Sequence, residues 1–188
     1  MNKDNHSSPV DPENAAPENA DQKTTGQTRA AKPAPALNRS GRPTRHASRV
    51  TAFQILYGLR FAEIPDALAL AQAFADSPDQ HDALPPEANG QAPYPHGFAW
   101  DLVHGVWQHR ADLDAAIAAH SRNWKLARIG QVELTLLRMA AFELKHLPDV
   151  PPRAIINEAL ELNREFGDAA SHGFINGVLD ALAAEPRA

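Results

Sequence analysis

From residue 44 onward, apolar side chains return at three- and four-residue steps, the spacing that turns one face of a helix toward a core. Residues 44–61 place Val50, Phe53 and Tyr57 at i, i+3 and i+7, with Leu56 and Leu59 widening the stripe. Residues 65–75 form a shorter stretch rich in Ala and Leu. Between His96 and His120 the repeating positions are Trp100, Val103, Trp107, Leu113 and Ile117, interrupted by Gly105. That pattern predicts one long helix, or two with a kink at the glycine. Residues 129–146 repeat the device with Ile129, Val132, Leu136, Met139 and Phe142. The segment PPRAIINEALELNREFG opens on prolines suited to a first helical turn and carries Ile155, Ala159, Leu162 and Phe166 on one face. It closes on Gly167, a natural C-terminal cap. A last helix is predicted over 170–184. No segment alternates apolar and polar residues for long enough to make a strand, so the fold class is all-α.

Two stretches fall outside the pattern. Residues 1–43 have Val10 and Leu37 as their only large aliphatics and show no periodicity, so they cannot repay the entropy of ordering and are expected to be disordered. Residues 76–95, with five prolines and Asn89-Gly90, are expected to be a long surface loop. The predicted organisation is a tail over 1–43 and one helical domain over 44–188.

Charge sharpens this division. The formal net charge of -5 conceals three blocks. Residues 1–21 hold one Lys and five acids; residues 22–62 hold eight basic side chains and no Asp or Glu; the remainder holds nine basic and eighteen acidic residues. A strongly basic segment ahead of an acidic body points to an anionic partner, foremost a nucleic acid.

Other chemistries are poorly represented. With 188 residues and no cysteine, the chain offers one ordinary domain and no thiolate zinc site, cysteine nucleophile or disulfide. Phosphate loops, dinucleotide turns and nucleophile elbows are absent from the sequence. The nine histidines include no pair at i, i+4. No catalytic residue, cofactor or metal site is therefore predicted. The N-terminus has no apolar run to serve as a signal peptide and no long apolar stretch follows, so the expectation is a cytoplasmic protein without membrane attachment.

Motifs in the helical half carry a resemblance. DVPPRAIINEALELNREFG followed by SHGFINGVLDAL resembles the C-terminal signature of the NusB antitermination family, IGQVELTLLRMAAFEL resembles the family's preceding helix, and TRHASRVTAFQILYGLRF its arginine-bearing first helix. The resemblance implies two packed helical subdomains. It also implies binding to the boxA element of nascent RNA together with the ribosomal protein NusE, within an RNA polymerase elongation complex that includes other Nus factors, during read-through of ribosomal RNA operons. Homodimerisation is left open. In this sequence Ala47 and Ser48 occupy positions within the arginine cluster, His46 stands among the arginines, and Gly173 replaces a basic residue usual before the last motif. A second reading is the RNA-presenting domain of a ribosomal RNA cytosine methyltransferase, which would need a separate domain with a cofactor turn and catalytic cysteines. A third is a free-standing RNA-binding helical protein.

The candidate RNA-binding residues are Arg42, Arg45, His46, Arg49 and Tyr57. Arg45 and Arg49 lie one helical turn apart with His46 beside them, and are read as an exposed basic end able to meet phosphates. Arg42 precedes Pro43 and so falls just before the helix. Tyr57 could stack on an unpaired base, although its place in the stripe favours core packing, and Phe174 shares that ambiguity. For Asn157 and Glu158 a role in bonding a neighbouring helix is favoured over catalysis. Asn176-Gly177 is expected where the last helix packs closely on another. Should the first helix prove not to face RNA, the surface around Arg164 and His172 is the alternative.

Overall fold

The computed structural model describes residues 37, 43–77, 95–121 and 125–186. The expectations for the tail, for Arg42 and for the loop across 78–94 lie outside these residues. Among the described residues there are seven α-helices and no strand, only an isolated bridge between Leu37 and Pro43.

The helix α1 spans Arg45–Leu59 and starts where Thr44 leaves helical geometry and accepts a hydrogen bond from the Ala47 N–H at 3.1 Å. Next, α2 spans Ala67–Ala75, capped in the same way by Asp66. Helices α3 (Phe98–Gln108) and α4 (Arg110–His120) follow, then a 3₁₀ turn at Leu126–Arg128 and α5 (Gln131–His146). The chain ends with α6 (Pro152–Phe166), a 3₁₀ turn at Ala169–Ser171 and α7 (His172–Ala183). The prolines of α6 fall where the sequence put them, Pro151 at the cap and Pro152 inside the first turn.

Helices α1 to α3 form one group and α4 to α7 a second, with α5 packed against members of both. Ten of the sixteen residues of α5 are buried, from Leu134 to Leu144 with the exception of Arg138. A helix enclosed on most sides keeps little of a one-faced pattern. The two groups share one apolar cluster, in which Phe74, Leu102, Leu113, Ile117, Leu137, Ile155, Ile175 and Leu179 are almost entirely shielded from solvent.

Three expectations about glycines need correction. The break between α3 and α4 falls at His109, with φ -100° and ψ 14°, and not at Gly105. Gly105 lies inside α3, where a Cβ would overlap the Phe142 ring of α5, so its smallness sets the approach of these two helices. Gly167 ends α6 in an extended conformation, φ -109°, without the left-handed geometry of the usual glycine cap. Its smallness is needed because a Cβ would meet the Asn163 amide, which is wholly buried. That amide donates to the Asp168 carbonyl at 3.1 Å and accepts from the Ser171 hydroxyl at 3.0 Å, tying α6 to the turn before α7. Gly177, by contrast, is exposed with open space where a Cβ would stand, so close helix packing does not explain it.

Candidate nucleic-acid interface

The sequence places cations at the N-terminal end of α1, where the helix dipole is itself positive and no acidic residue stands in the first turn. The other helices supply the missing negative charge. Arg49, 4% exposed, donates from Nε to Glu143 Oε1 at 2.9 Å and from Nη2 to Glu143 Oε2 at 2.6 Å, a bidentate pair with a carboxylate of α5 that is itself buried. Its Nη1 lies 3.6 Å from Glu158 Oε2 of α6. His46 Nδ1 is 2.9 Å from that same carboxylate oxygen and 4.0 Å from Glu161 Oε2. The expectation that Arg49 stands exposed beside Arg45 is therefore not met. Its charge is engaged inside the fold, and the half-buried His46 is drawn toward α6.

Arg45 behaves differently. It is exposed, and its guanidinium carbon sits 4.0 Å from the centroid of the Phe98 ring, a cation–π contact that fixes the side chain without neutralising it. The Arg49 guanidinium lies 5.2 Å from the same ring centroid. Nearby, partial burial raises the Asp101 carboxyl above its ordinary pKa, and the positive charges of Arg45, His104 and His96 oppose that push only in part.

Tyr57 is half-buried and stacks on Phe53 with ring centroids 6.0 Å apart, while Phe53 meets Phe166 at 4.8 Å. The core-packing reading of Tyr57 fits this aromatic row. The row also borders an open cavity of about 290 Å³ lined by Gln54, Tyr57, Val132 and Phe166, so part of the tyrosine reaches the surface. Phe174 is likewise half-buried and lines a second depression of about 350 Å³ with Arg128 and Glu133. Ala47 and Ser48, which interrupt the arginine cluster in sequence, face inward with 9% and 5% exposure. The sequence reading of Glu158 as a residue that bonds a neighbouring helix agrees with its contacts to α1, whereas Asn157 is exposed.

Glu143 and Phe98 were not foreseen as parts of this end of the molecule. The one available signal was an acid set among apolar residues in AAFEL, which requires a buried partner. His46, Glu158 and Glu161 also bring three potential ligand atoms within 4.8 Å of one another, a cluster that spacing along the chain could not show. Arg49 already provides a cation to it.

Among the described residues the fold is all-helical, with a cationic, aromatic-backed helix end and no helix long and apolar enough to cross a membrane. Residues 46–184 match the NusB family. A similar chain is the transcription antitermination protein NusB of Nitratidesulfovibrio vulgaris, 50% identical over 147 residues, a match covering 78% of this chain and 92% of that one. The protein of the same name from Myxococcus xanthus is 40% identical over 139 residues, covering 74% and 94%. Among solved structures, T. maritima NusB aligns with a TM-score of 0.60 at 24% identity, over 77% of this chain and 94% of that one. The antitermination factors NusB and NusE in complex with double-stranded RNA align with a TM-score of 0.58 at 26% identity, over 74% of this chain and 95% of the other. The chain belongs to the NusB family.

Proposed function

We propose that this protein is a transcription antitermination factor that binds boxA-type nascent RNA together with the ribosomal protein NusE, within the RNA polymerase elongation complex and alongside other Nus factors. Its action is binding rather than catalysis, carried out in the cytoplasm. The observation that carries the reading is the exposed guanidinium of Arg45, held over Phe98 at the start of α1 and continuous in sequence with the acid-free stretch 22–62. A guanidinium that is oriented and, among the described residues, has no carboxylate within ion-pair distance loses little freedom on meeting a phosphate. Arg42 and the basic residues before it add positive charge next to Arg45 along the chain, and the helical domain from residue 44 carries Arg45. Arg49 and His46 act behind this surface by fixing α1 to α5 and α6. Tyr57 offers a partly open ring for base stacking beside Phe166. NusE occupies a separate face. Relatives bearing the antitermination name match over most of their own length, which favours this reading over an RNA-presenting domain of a methyltransferase.

The test compares the parent with Arg45→Ala for binding to boxA RNA and a scrambled RNA, with and without NusE. Loss of one charge-assisted contact is expected to weaken boxA binding by about 1 to 3 kcal/mol and to leave helicity and NusE binding unchanged. Equal affinity for the two RNAs in the presence of NusE would defeat the specific function. An unaffected Arg45→Ala variant would move the RNA surface to the region of Arg164 and His172.

A further inference from the structure

At the opposite end of α1, a cavity of about 420 Å³ opens between the end of that helix, the chain leading to α2, the last turn of α3 and the first turns of α5. Three arginines line it, Arg60, Arg110 and Arg138, together with Leu59, Val106 and the half-buried Trp107. We infer that this cavity is a nucleotide site, in which the arginines receive a phosphate and Trp107 meets the base. The RNA form of this inference rests on the reading proposed above.

Arg138 gives its Nε and Nη2 hydrogens to Asp114 at 2.7 and 2.8 Å, which neutralises one cation of the three. Arg60 and Arg110 have no acidic partner within ion-pair distance among the described residues. Two arginines without an acidic partner among the described residues line one cavity, and an anion bound there would be attracted by both. The setting adds weight, because residues 63–188 carry twice as many acids as bases.

Arg60 donates from Nη1 to the Tyr57 hydroxyl at 3.3 Å, and its guanidinium lies 4.3 Å from the Phe61 ring centroid and 5.3 Å from that of Tyr57. A planar group steadied by two rings keeps most of its N–H donors for a ligand. The volume lies in the ordinary range for small-molecule sites, and arginines beside an indole match the phosphate and base of a nucleotide. This site is distinct from Arg45, since fifteen residues of helix separate Arg45 from Arg60, roughly 22 Å along the axis.

The test uses the full chain and three probes: uridine 5′-monophosphate, uridine and a short single-stranded RNA. Arg60→Gln and Arg110→Gln, singly and together, alter exposed side chains, and circular dichroism verifies the fold. Trp107→Phe tests the base contact while retaining an apolar ring. The parent is expected to bind the monophosphate saturably and uridine at least about tenfold more weakly, with the double variant losing the difference, as follows from charge-assisted phosphate contacts. If the ligand is an RNA strand, the double variant also lowers the slope of log affinity against log salt by about 0.7, the contribution of the one phosphate the two arginines share. If the slope holds while monophosphate binding disappears, the ligand is a free nucleotide. Parent and double variant alike in both assays would overturn the inference, even where boxA binding by the parent upholds the proposed function. Should the parent bind no RNA at all, the monophosphate arm still decides the cavity.

Discussion

Replacing Arg49 by Ala separates an architectural arginine from a functional one. The substitution removes both N–H donors that hold Glu143, whose side chain is 3% exposed, and leaves a carboxylate inside α5 facing the apolar stem of α1. Breaking a buried ion pair from one side costs about 3 to 5 kcal/mol, because the surviving charge has neither water nor a partner. With a urea dependence of about 2 kcal/mol per molar, the unfolding midpoint is expected to fall by about 1.5 to 2.5 M. The assay is urea unfolding followed by helical circular dichroism. Arg49→Met with Glu143→Leu removes both charges while keeping similar volume, and is expected to recover most of the loss, giving a coupling energy that a simple cavity could not produce. RNA affinity, measured under conditions where Arg49→Ala is still folded, is expected to change little. If that variant unfolds within about 1 kcal/mol of the parent yet loses RNA binding, the buried pair is not what holds α1 in place, and Arg49 must leave Glu143 to reach the ligand.

Gly105→Ala should destabilise the protein by about 1 to 3 kcal/mol, because the new methyl must displace the Phe142 ring. Gly177→Ala, with open space at the same point, should stabilise it by about 0.5 to 1 kcal/mol in the same unfolding assay. Deleting residues 1–42 should preserve helicity and lower the salt slope of RNA binding, since five basic residues after Asp21 are lost; an unchanged slope would show that the tail does not touch RNA. Partial burial, aided by His109 and Lys145 and opposed by Asp112, holds His146 below the ordinary histidine pKa of 6.5. The folded state therefore binds fewer protons there than the unfolded chain, so this contribution is present above the unfolded pKa and lost as pH falls through the lowered folded value. His146→Gln should accordingly flatten the pH dependence of the unfolding midpoint between pH 7 and pH 5.

Where a helix has one wet face, its residues declare themselves in sequence. The apolar positions assigned to α6, namely Ile155, Ala159 and Leu162, are all buried, and Phe166 packs at the edge of the core. In α5 the same reasoning named Val132, which is only half-buried, and gave no reason to bury Thr135 or Glu143. The cause is the enclosure of α5, since a helix touched from several directions buries polar positions along with apolar ones. Gly105 shows a related limit. A glycine in a periodic segment signals either a kink or a close approach, and only the position of Phe142, thirty-seven residues later, decides between them.

Candidate binding residues were legible as a group but not as individuals. Arg45 and Arg49 are equivalent by residue type and local charge, and what distinguishes them is a carboxylate 94 residues away from Arg49. The His46–Glu158 contact spans 112 residues. The exposed charge at Arg45 depends on these long-range pairs. A cation at a helix N-terminus opposes the dipole by about 0.3 to 1 kcal/mol, and α1 begins with two arginines and a histidine and no acid of its own. Glu143 and Glu158 answer the Arg49 charge from behind, with His46 bonded to Glu158, whereas Arg45 lies over the face of Phe98, which attracts a cation without cancelling it, and among the described residues has no carboxylate within ion-pair distance. The helix end is thus compensated on its buried side and left positive on its open side. The phosphate contact proposed for Arg45 would fall on that open side.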